Sequence, residues 1–405
     1  MIHDESPPSN PAMISSSPPA TAGPEGLSPT RAWLQRPMLY LAAMGLLAAG
    51  WSLWSQRAEF MDLAGNGFAG PKQRRTQPAS QSFDLSEALI PRDEIRPGGP
   101  SKDGIASLTA PKLVAPEAAT FLKSTDRVIG VTINNDSRAY PLKILEWHEA
   151  VNDRIGGVPA AVTYCPLCDS AAIFDRRTDA GEVEFGVSGL LYNSNVLFYD
   201  RAKQGIESLW SQMMARGVSG PNAGKGLKAL PVELTTWADW SRRHPKTRVL
   251  STETGHGRRY GGSAYEDYFK SPMLMFPAEP SSDRLLAKAP VLGVWTKDSF
   301  RAYPLSAFAA LDKPRELRQE LGGLSFTVKW NPEAKSLIVA KADRRLSWMY
   351  GFWFAWYAFH PDTEVFDGAA TKTGAMAGCS DKRKEQGKGK IPQKKAPVAE
   401  KKTPE

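Results

Sequence analysis

The chain has 405 residues and a mass of 44.3 kDa, and 41% of its residues are hydrophobic, including 12 Trp. This apolar content is sufficient for a packed core and excludes a wholly disordered protein. The formal net charge is +8, but residues 371–405 carry ten Lys and Arg against four acidic residues. We expect this tail to be disordered, and because the rest of the chain is near neutral, the charge does not indicate nucleic-acid binding.

The N-terminal region combines a polar segment with an apolar one. Residues 1–30 are rich in Pro and Ser and contain few large apolar side chains, so we expect them to be disordered. Within residues 31–56, the stretch from Pro37 to Gln56 is uncharged, and a helix of about 20 residues spans the roughly 30 Å of a bilayer core. We predict one transmembrane signal anchor here; a cleaved signal peptide and a buried soluble helix are the alternatives.

Charges on the two sides of this segment predict its orientation. Arg31 and Arg36 precede it, whereas Arg57 is soon followed by Glu59 and Asp62. Because basic residues accumulate on the cytoplasmic side, the N-terminus should remain in the cytoplasm. The prediction is a single-pass cell-membrane protein that contacts the membrane through residues 37–56 and places its main domain on the extracytoplasmic, periplasmic side.

Residues 57–105 mix Gln, Arg, Pro and Gly without a sustained period, which predicts a linker. Residues 106–370 then contain short apolar runs, rich in β-branched residues and separated by Gly, Pro, Asn and Asp, which indicate strands and turns. The predicted fold class is mostly β, a β-rich α+β arrangement.

This β-rich region also repeats itself. The sequence RAYPL occurs at 138–142 and again at 301–305, and a Gly pair starts a second match in each copy. A Trp followed four residues later by His-Pro occurs at Trp240 and again at Trp356. We therefore predict two related modules, at about 112–250 and 291–366, that arose by internal duplication and pack as one domain. The shared His244 and His360 are expected to be structural residues packed on these Trp side chains.

Three residues of the first module are lost together from the second. The positions aligned with His148, Cys165 and Cys168 hold a leucine, an asparagine and an alanine. Joint loss indicates that the imidazole and the two thiols act as one group. The sequence Cys165-Pro-Leu-Cys168 lies between two strand-like runs, which favours the tip of a hairpin over the start of a helix.

Two thiolates on a tight turn are a common half-site for a soft or borderline metal, and His148 would supply a third ligand. We therefore predict a copper or zinc site at His148, Cys165 and Cys168 with a redox use. One alternative is a thiol–disulfide oxidoreductase that uses the cysteine pair, and another is a non-catalytic binding or scaffold module. Whether the protein is an enzyme, and what its protein partner is, stay open.

A further set of polar and aromatic side chains accompanies the cysteine pair in the first module. They are predicted to line a pocket beside it: Glu149, Tyr164, Asp169, Asp175, Asn193, Trp210 and Ser211.

Several stretches of the β-rich region resemble a known family. They include VTYCPLCDSAAIFDR, FGVSGLLYNSNVLFYDR, ESLWSQ, LSTETG and FHPDTEV. Together with RAYPL and the residues around His148, they resemble the bacterial and archaeal family catalogued as domain of unknown function 3179, over roughly Lys112 to Phe366. The resemblance implies that this region is one domain and that His148, Cys165 and Cys168 belong to the family pattern. It implies no particular activity.

Overall fold

The computed structural model describes residues 83–178, 181–201 and 205–368. This part of the chain is mostly β with a few short helices, so the predicted fold class is confirmed at that level. The predicted segment 1–30, the anchor at 31–56 and the tail at 371–405 lie outside the described residues. None of the helices within the described ranges is long and apolar enough to cross a membrane.

The largest sheet has nine strands and contains strands of both predicted modules. Its hydrogen-bonded order is Leu108–Thr109, Ala150–Ile155, Val158–Cys165, Ser170–Asp175, Ser347–Phe352, Pro290–Trp295, Phe300–Pro304 and Glu364–Val365, with Ala229–Leu230 paired to Ser170–Asp175. The strands of the first module meet those of the second where Tyr350 pairs with Ala171.

Four smaller sheets surround it. One five-stranded sheet has the order Arg96–Pro97, Phe185–Tyr192, Asn195–Asp200, Leu209–Ser211 and Arg216–Ser219. The other has the order Glu233–Thr236, Arg127–Ile133, Asp136–Pro141, Arg248–Leu250 and Leu113–Val114. Gly181–Glu182 pairs with Arg177–Thr178, and a three-stranded sheet contains Arg315–Leu321, Leu324–Asn331 and Ser336–Ala340. In this last sheet Arg315–Leu321 is an edge strand whose charged side chains are mostly exposed.

The helices are short and connect strands. The α-helices are Leu142–Leu145, Trp237–Arg243, Glu266–Lys270 and Trp353–Phe359, and the 3-10 helices are Arg92–Glu94, Pro116–Ala118 and Leu305–Phe308.

The hairpin of Val158–Cys165 and Ser170–Asp175 lies in the middle of the largest sheet and is buried on both faces. Alternate side chains enter different hydrophobic clusters, because successive residues of a strand point to opposite faces. Val162 and Ile173 belong to one cluster, and Ala161 belongs to the other together with both cysteines of the CxxC pair. This double burial explains why both strands are continuous apolar runs instead of alternating patterns.

Residues 83–105, which the sequence assigns to the linker, pack on the domain instead. Phe83, Ile90 and Ile95 are buried in a cluster with side chains of one five-stranded sheet. Arg96–Pro97 pairs with Leu190 and Leu191 of that sheet. The apolar residues are spaced irregularly, so no strand or helix period marks them in the sequence.

The two Trp residues of the repeated turns have matching environments. Trp240 donates its Nε1–H to Thr247 Oγ1 at 2.9 Å, and its ring centroid lies 4.0 Å from that of His244. Trp356 donates to Thr363 Oγ1 at 3.0 Å, and its ring centroid lies 4.3 Å from that of the histidine four residues later. The prediction that these histidines pack on Trp is confirmed.

The repeated RAYPL sequences also occupy matching places. In each, the RAYP residues end a strand, at Asp136–Pro141 and Phe300–Pro304, and the following Leu starts a helical turn. Each of these strands pairs in parallel with the strand after the corresponding Trp helix. The origin of the two modules by duplication stays a prediction.

A glycine makes each of these Trp positions possible, which gives a test of the packing. A Cβ added at Gly130 would lie 2.3 Å from the Trp240 ring, so Gly130→Ala should lower the free energy of unfolding by about 1–3 kcal/mol in urea denaturation. Gly226→Ala is the control, because an added Cβ there meets no atom within 4 Å. Equal stability of the two variants would contradict this account.

Candidate functional site

The CxxC pair lies at the tip of the central hairpin. Cys165 ends the first strand and pairs with Ser170, which starts the second, so the predicted hairpin tip is confirmed. The Cys168 N–H donates to the Cys165 carbonyl at 3.2 Å, and Asp169 has a left-handed backbone with φ of 46°. Both cysteines are free thiols, with exposed fractions of only 1% and 0%. The turn therefore presents two adjacent sulfurs away from solvent.

The surroundings of Cys165 stabilise a thiolate. Burial opposes ionisation, but the Cys168 thiol and the N–H groups of Val196, Cys168 and Leu167 donate hydrogen bonds to the Cys165 sulfur. Their combined effect outweighs burial and holds the pKa of Cys165 below its ordinary value. Backbone N–H groups thus lower the pKa of Cys165 as the N-terminus of a helix lowers the pKa of a thiol.

Cys168 has the opposite character. Burial and the neighbouring Cys165 raise the pKa of the Cys168 thiol well above its ordinary value. Its sulfur lies 3.2 Å from the carbonyl oxygen of Ser194, and the Cys165 sulfur lies 3.9 Å from the same oxygen. The pair is therefore asymmetric, because the pKa of Cys165 is lowered whereas that of Cys168 is raised.

Glu149 places a carboxyl group beside the Cys165 sulfur. Its backbone is left-handed, with φ of 54°, and its carbonyl accepts the Tyr164 N–H at 2.8 Å. Burial raises the pKa of Glu149 well above its ordinary value, and the neighbouring Cys165 raises it further. The surroundings of Glu149 therefore favour its protonated form.

Asp169 and Tyr164 form an ion-pair cluster at the base of the turn. Both carboxylate oxygens of Asp169 accept from the guanidinium of Arg127, at 3.0 and 2.9 Å, and Tyr164 donates its hydroxyl to Asp169 at 2.7 Å. This network fixes the left-handed residue that closes the cysteine turn.

His148 is buried and both of its ring nitrogens have partners. Nδ1 lies 2.6 Å from the Ala106 carbonyl oxygen, which can only accept, so Nδ1 donates and Nε2 accepts from the Tyr260 hydroxyl at 2.7 Å. Burial lowers the pKa of His148 to about 4. In the ranges that the structure describes, no three His, Cys, Asp or Glu side chains form a group that could hold a metal ion. The imidazole is therefore not brought together with the cysteines in a ligand group.

The other predicted pocket residues fall into two groups, three that bond to nearby strands and turns and one that contacts a distant segment. Asp175 pairs with Arg177, Trp210 donates to Asp200 at 2.9 Å, and Ser211 accepts the Met214 N–H at 3.2 Å. These three stabilise strands and turns. Asn193 instead contacts a segment that the sequence did not mark, residues 254–280, which we call the strap.

The strap connects the two modules and covers the cysteine turn. Tyr260 bonds to His148, and Tyr268 donates its hydroxyl to the Leu167 carbonyl at 2.8 Å. Tyr268 is 3% exposed, and the nearby thiols add to the burial that raises its pKa. The aromatic residues at 260, 265, 268 and 269 are the sequence signal that could have identified this cover.

A family model described as protein of unknown function (DUF3179) matches residues 102–348, more than half of the chain. The chain belongs to this family. No curated protein and no solved structure matches it. In this DUF3179 protein the matched range includes His148, the cysteine turn and the whole strap, and the family description assigns no activity.

Glu146 is a second buried carboxyl group near the turn. Burial raises its pKa to about 7, hydrogen bonds from Ser263 and Ala264 of the strap oppose the rise, and repulsion from Asp169 adds to it. Its Oε2 atom has no hydrogen-bond partner among the described residues. The native state therefore favours the protonated form of Glu146.

This shift predicts a pH-dependent stability. The folded pKa of Glu146 lies above the unfolded value, so its contribution is complete below pH 4.5 and is lost as the pH rises through about 7. Glu146→Gln mimics the protonated form. Its stability should rise relative to the wild type, by up to about 3 kcal/mol, between pH 5 and 8 in urea denaturation. The control is Glu266→Gln, at an exposed position, whose difference in free energy of unfolding from the wild type should stay constant between pH 5 and 8. A constant difference for Glu146→Gln as well would mean that Glu146 is ionised in the native state, which contradicts the prediction.

Proposed function

We propose that this protein is a membrane-anchored, extracytoplasmic thiol–disulfide oxidoreductase that works through Cys165 and Cys168. The observation that carries the proposal is a pair of free thiols side by side at the tip of a hairpin, and their asymmetry supports it: hydrogen bonds lower the pKa of Cys165, while burial raises that of Cys168. A nucleophilic thiolate next to a protonated resolving thiol is the arrangement that disulfide exchange requires.

The reaction follows from this arrangement. The Cys165 thiolate attacks one sulfur of a substrate disulfide, forms a mixed disulfide and releases the other sulfur as a thiolate. That thiolate takes the proton of Cys168, and the Cys168 sulfur then attacks Cys165. The second substrate thiolate leaves and an internal Cys165–Cys168 disulfide forms. Two electrons pass from the protein to the substrate, and the reverse sequence oxidises a dithiol substrate.

The predicted cell location agrees with this chemistry. An anchor at residues 31–56 with basic residues on its N-terminal side would place the domain outside the cytoplasm, where protein disulfides persist. We expect the full-length protein to sediment with membranes and to resist alkaline carbonate extraction. Deletion of residues 1–56 should release it. A full-length protein that carbonate extracts would refute the anchor.

A second candidate function is the binding of copper or zinc by the same sulfurs. It is favoured by the N–H groups of Leu167 and Cys168 that point at the Cys165 sulfur, because metal-binding cysteine turns stabilise their thiolates in this way. Cu(I) is the better match, since it accepts two thiolates without a third ligand. His148 would join only by giving up one of its two hydrogen bonds.

The oxidoreductase proposal predicts the pH profile of alkylation. With iodoacetamide and mass spectrometry, Cys165 in the reduced wild type should titrate below pH 8.5, the usual cysteine value. In Cys168→Ser the neighbouring thiol donor becomes a hydroxyl, and Cys165→Ser identifies the reacting position. Glutathione disulfide should then produce the internal Cys165–Cys168 disulfide.

Other outcomes separate the alternatives. A Cys165 that titrates at or above pH 8.5 and forms no internal disulfide contradicts the oxidoreductase. Stoichiometric Cu(I) or Zn²⁺ that blocks alkylation and is lost in the double Ser variant supports the metal site. If neither the internal disulfide nor the bound metal is found, the remaining interpretation is that the cysteine pair is a static structural contact.

We also infer that the two modules are related by duplication and that the second is structural. The matching Trp, His and Thr contacts and the matching RAYPL strands support this relationship. The second module has Asn331 and Ala334 where the first has its cysteines, so only one module carries the proposed chemistry.

A further inference from the structure

We propose that the surface beside the cysteine pair binds a polypeptide segment, and that the strap occupies this site in cis. The inference rests on the proposed function and names its substrate class: a protein segment that presents a disulfide or dithiol to Cys165. The contacts of the strap with the turn at Asn193 and Ser194 carry it.

The side chain of Asn193 forms hydrogen bonds with the main chain of the strap. Its Nδ2 donates to the Glu279 carbonyl at 2.9 Å, and its Oδ1 accepts the Glu279 N–H at 3.1 Å. The side-chain amide thus pairs with both backbone groups of one residue, as a neighbouring β-strand would. Such a contact requires a peptide backbone and is independent of the side chain that the peptide carries there.

Ser194 connects the bound segment to the sulfurs. Its hydroxyl donates to the Phe276 carbonyl at 2.6 Å, while its own carbonyl oxygen lies 3.2 Å from the Cys168 sulfur. Asn193 and Ser194 both have left-handed backbones, with φ of 48° and 61°, and both are buried. A polypeptide bound to this turn is therefore separated from the Cys168 sulfur by Ser194 alone.

The site also offers apolar contacts. Ala278 belongs to the hydrophobic cluster that contains Cys165, Leu167 and Cys168, and strap residues 274–276 pack against the same cluster. The preferred ligand is consequently a segment with apolar side chains before and between its main-chain contacts, as the strap has at 274–276 and 278.

The strap is held in a way that permits displacement. In the described structure, no backbone–backbone hydrogen bond joins the strap, residues 254–280, to the rest of the domain. Its one regular element is the five-residue helix Glu266–Lys270, and Met273 is 70% exposed. Side-chain tethers therefore hold most of the strap, and it can open without breaking a sheet.

The first test measures opening in the full-length protein. Asn193→Ala and Ser194→Ala each remove a tether, so alkylation of Cys165 at pH 7 should become about tenfold faster, as expected for the loss of a buried hydrogen bond. Lys270→Ala is the matched control on the strap, since its ion pair with Glu266 is exposed. Unchanged rates in both tether variants, at unchanged melting temperatures, would overturn the proposal.

The second test measures the site itself by fluorescence anisotropy. The probe is a labelled peptide with the strap sequence of residues 272–280, PMLMFPAEP, and the receptor is the full-length reduced Phe276→Ala protein, whose own strap is weakened. We expect saturable binding that falls at least tenfold when Asn193→Ala is added. The same loss should follow when the peptide nitrogen equivalent to Glu279 is methylated, because the donor to Asn193 disappears.

The outcomes of this binding test are decisive either way. No saturable binding to Phe276→Ala, or equal binding of the methylated peptide, overturns the polypeptide site. The peptide has no cysteine, so binding does not depend on disulfide exchange. Peptide binding without an internal disulfide would refute the oxidoreductase alone, and exchange without peptide binding would refute the polypeptide site alone.

Discussion

Burial of the central hairpin on both faces is the constraint from which the chemistry of this protein follows. Because sheet and hydrophobic side chains enclose Val158–Cys165 and Ser170–Asp175, the connecting turn cannot place its sulfurs in water. A charge at that turn needs donors from the protein itself, and the N–H groups of Leu167, Cys168 and Val196 supply them. A sulfur in such a place could react with a substrate, as we propose, only if its cover moves.

Desolvation, more than pairing between opposite charges, controls the ionisable groups around the turn. Burial raises the pKa values of Glu146 and Glu149 and lowers that of His148, so it favours the neutral form of all three groups. Arg127 and Asp169 instead form an ion pair with two parallel hydrogen bonds. The cysteine pair thus lies beside groups whose pKa values are shifted toward their neutral forms.

Local patterns in the sequence predicted local structure well. The β-rich runs, the hairpin at the cysteines and the histidines stacked on Trp follow from residue types that lie close together in the chain. The orientation of the His148 side chain could not be predicted from the sequence, because its partner Tyr260 is 112 residues away in a segment without a regular hydrophobic period. The role of Asn193 was hidden for the same reason, since its strap partner is 86 residues distant.

The exposed edge strand Arg315–Leu321 has a consequence for the proposed tethering of this protein to a membrane. Copies confined to one membrane meet far more often than copies in solution, so an open strand edge invites the growth of continuous sheets between molecules. Arg315, Glu316, Arg318 and Glu320 place alternating charges along this edge. A second copy would have to strip water from these charges before pairing, and crowding therefore need not lead to aggregation.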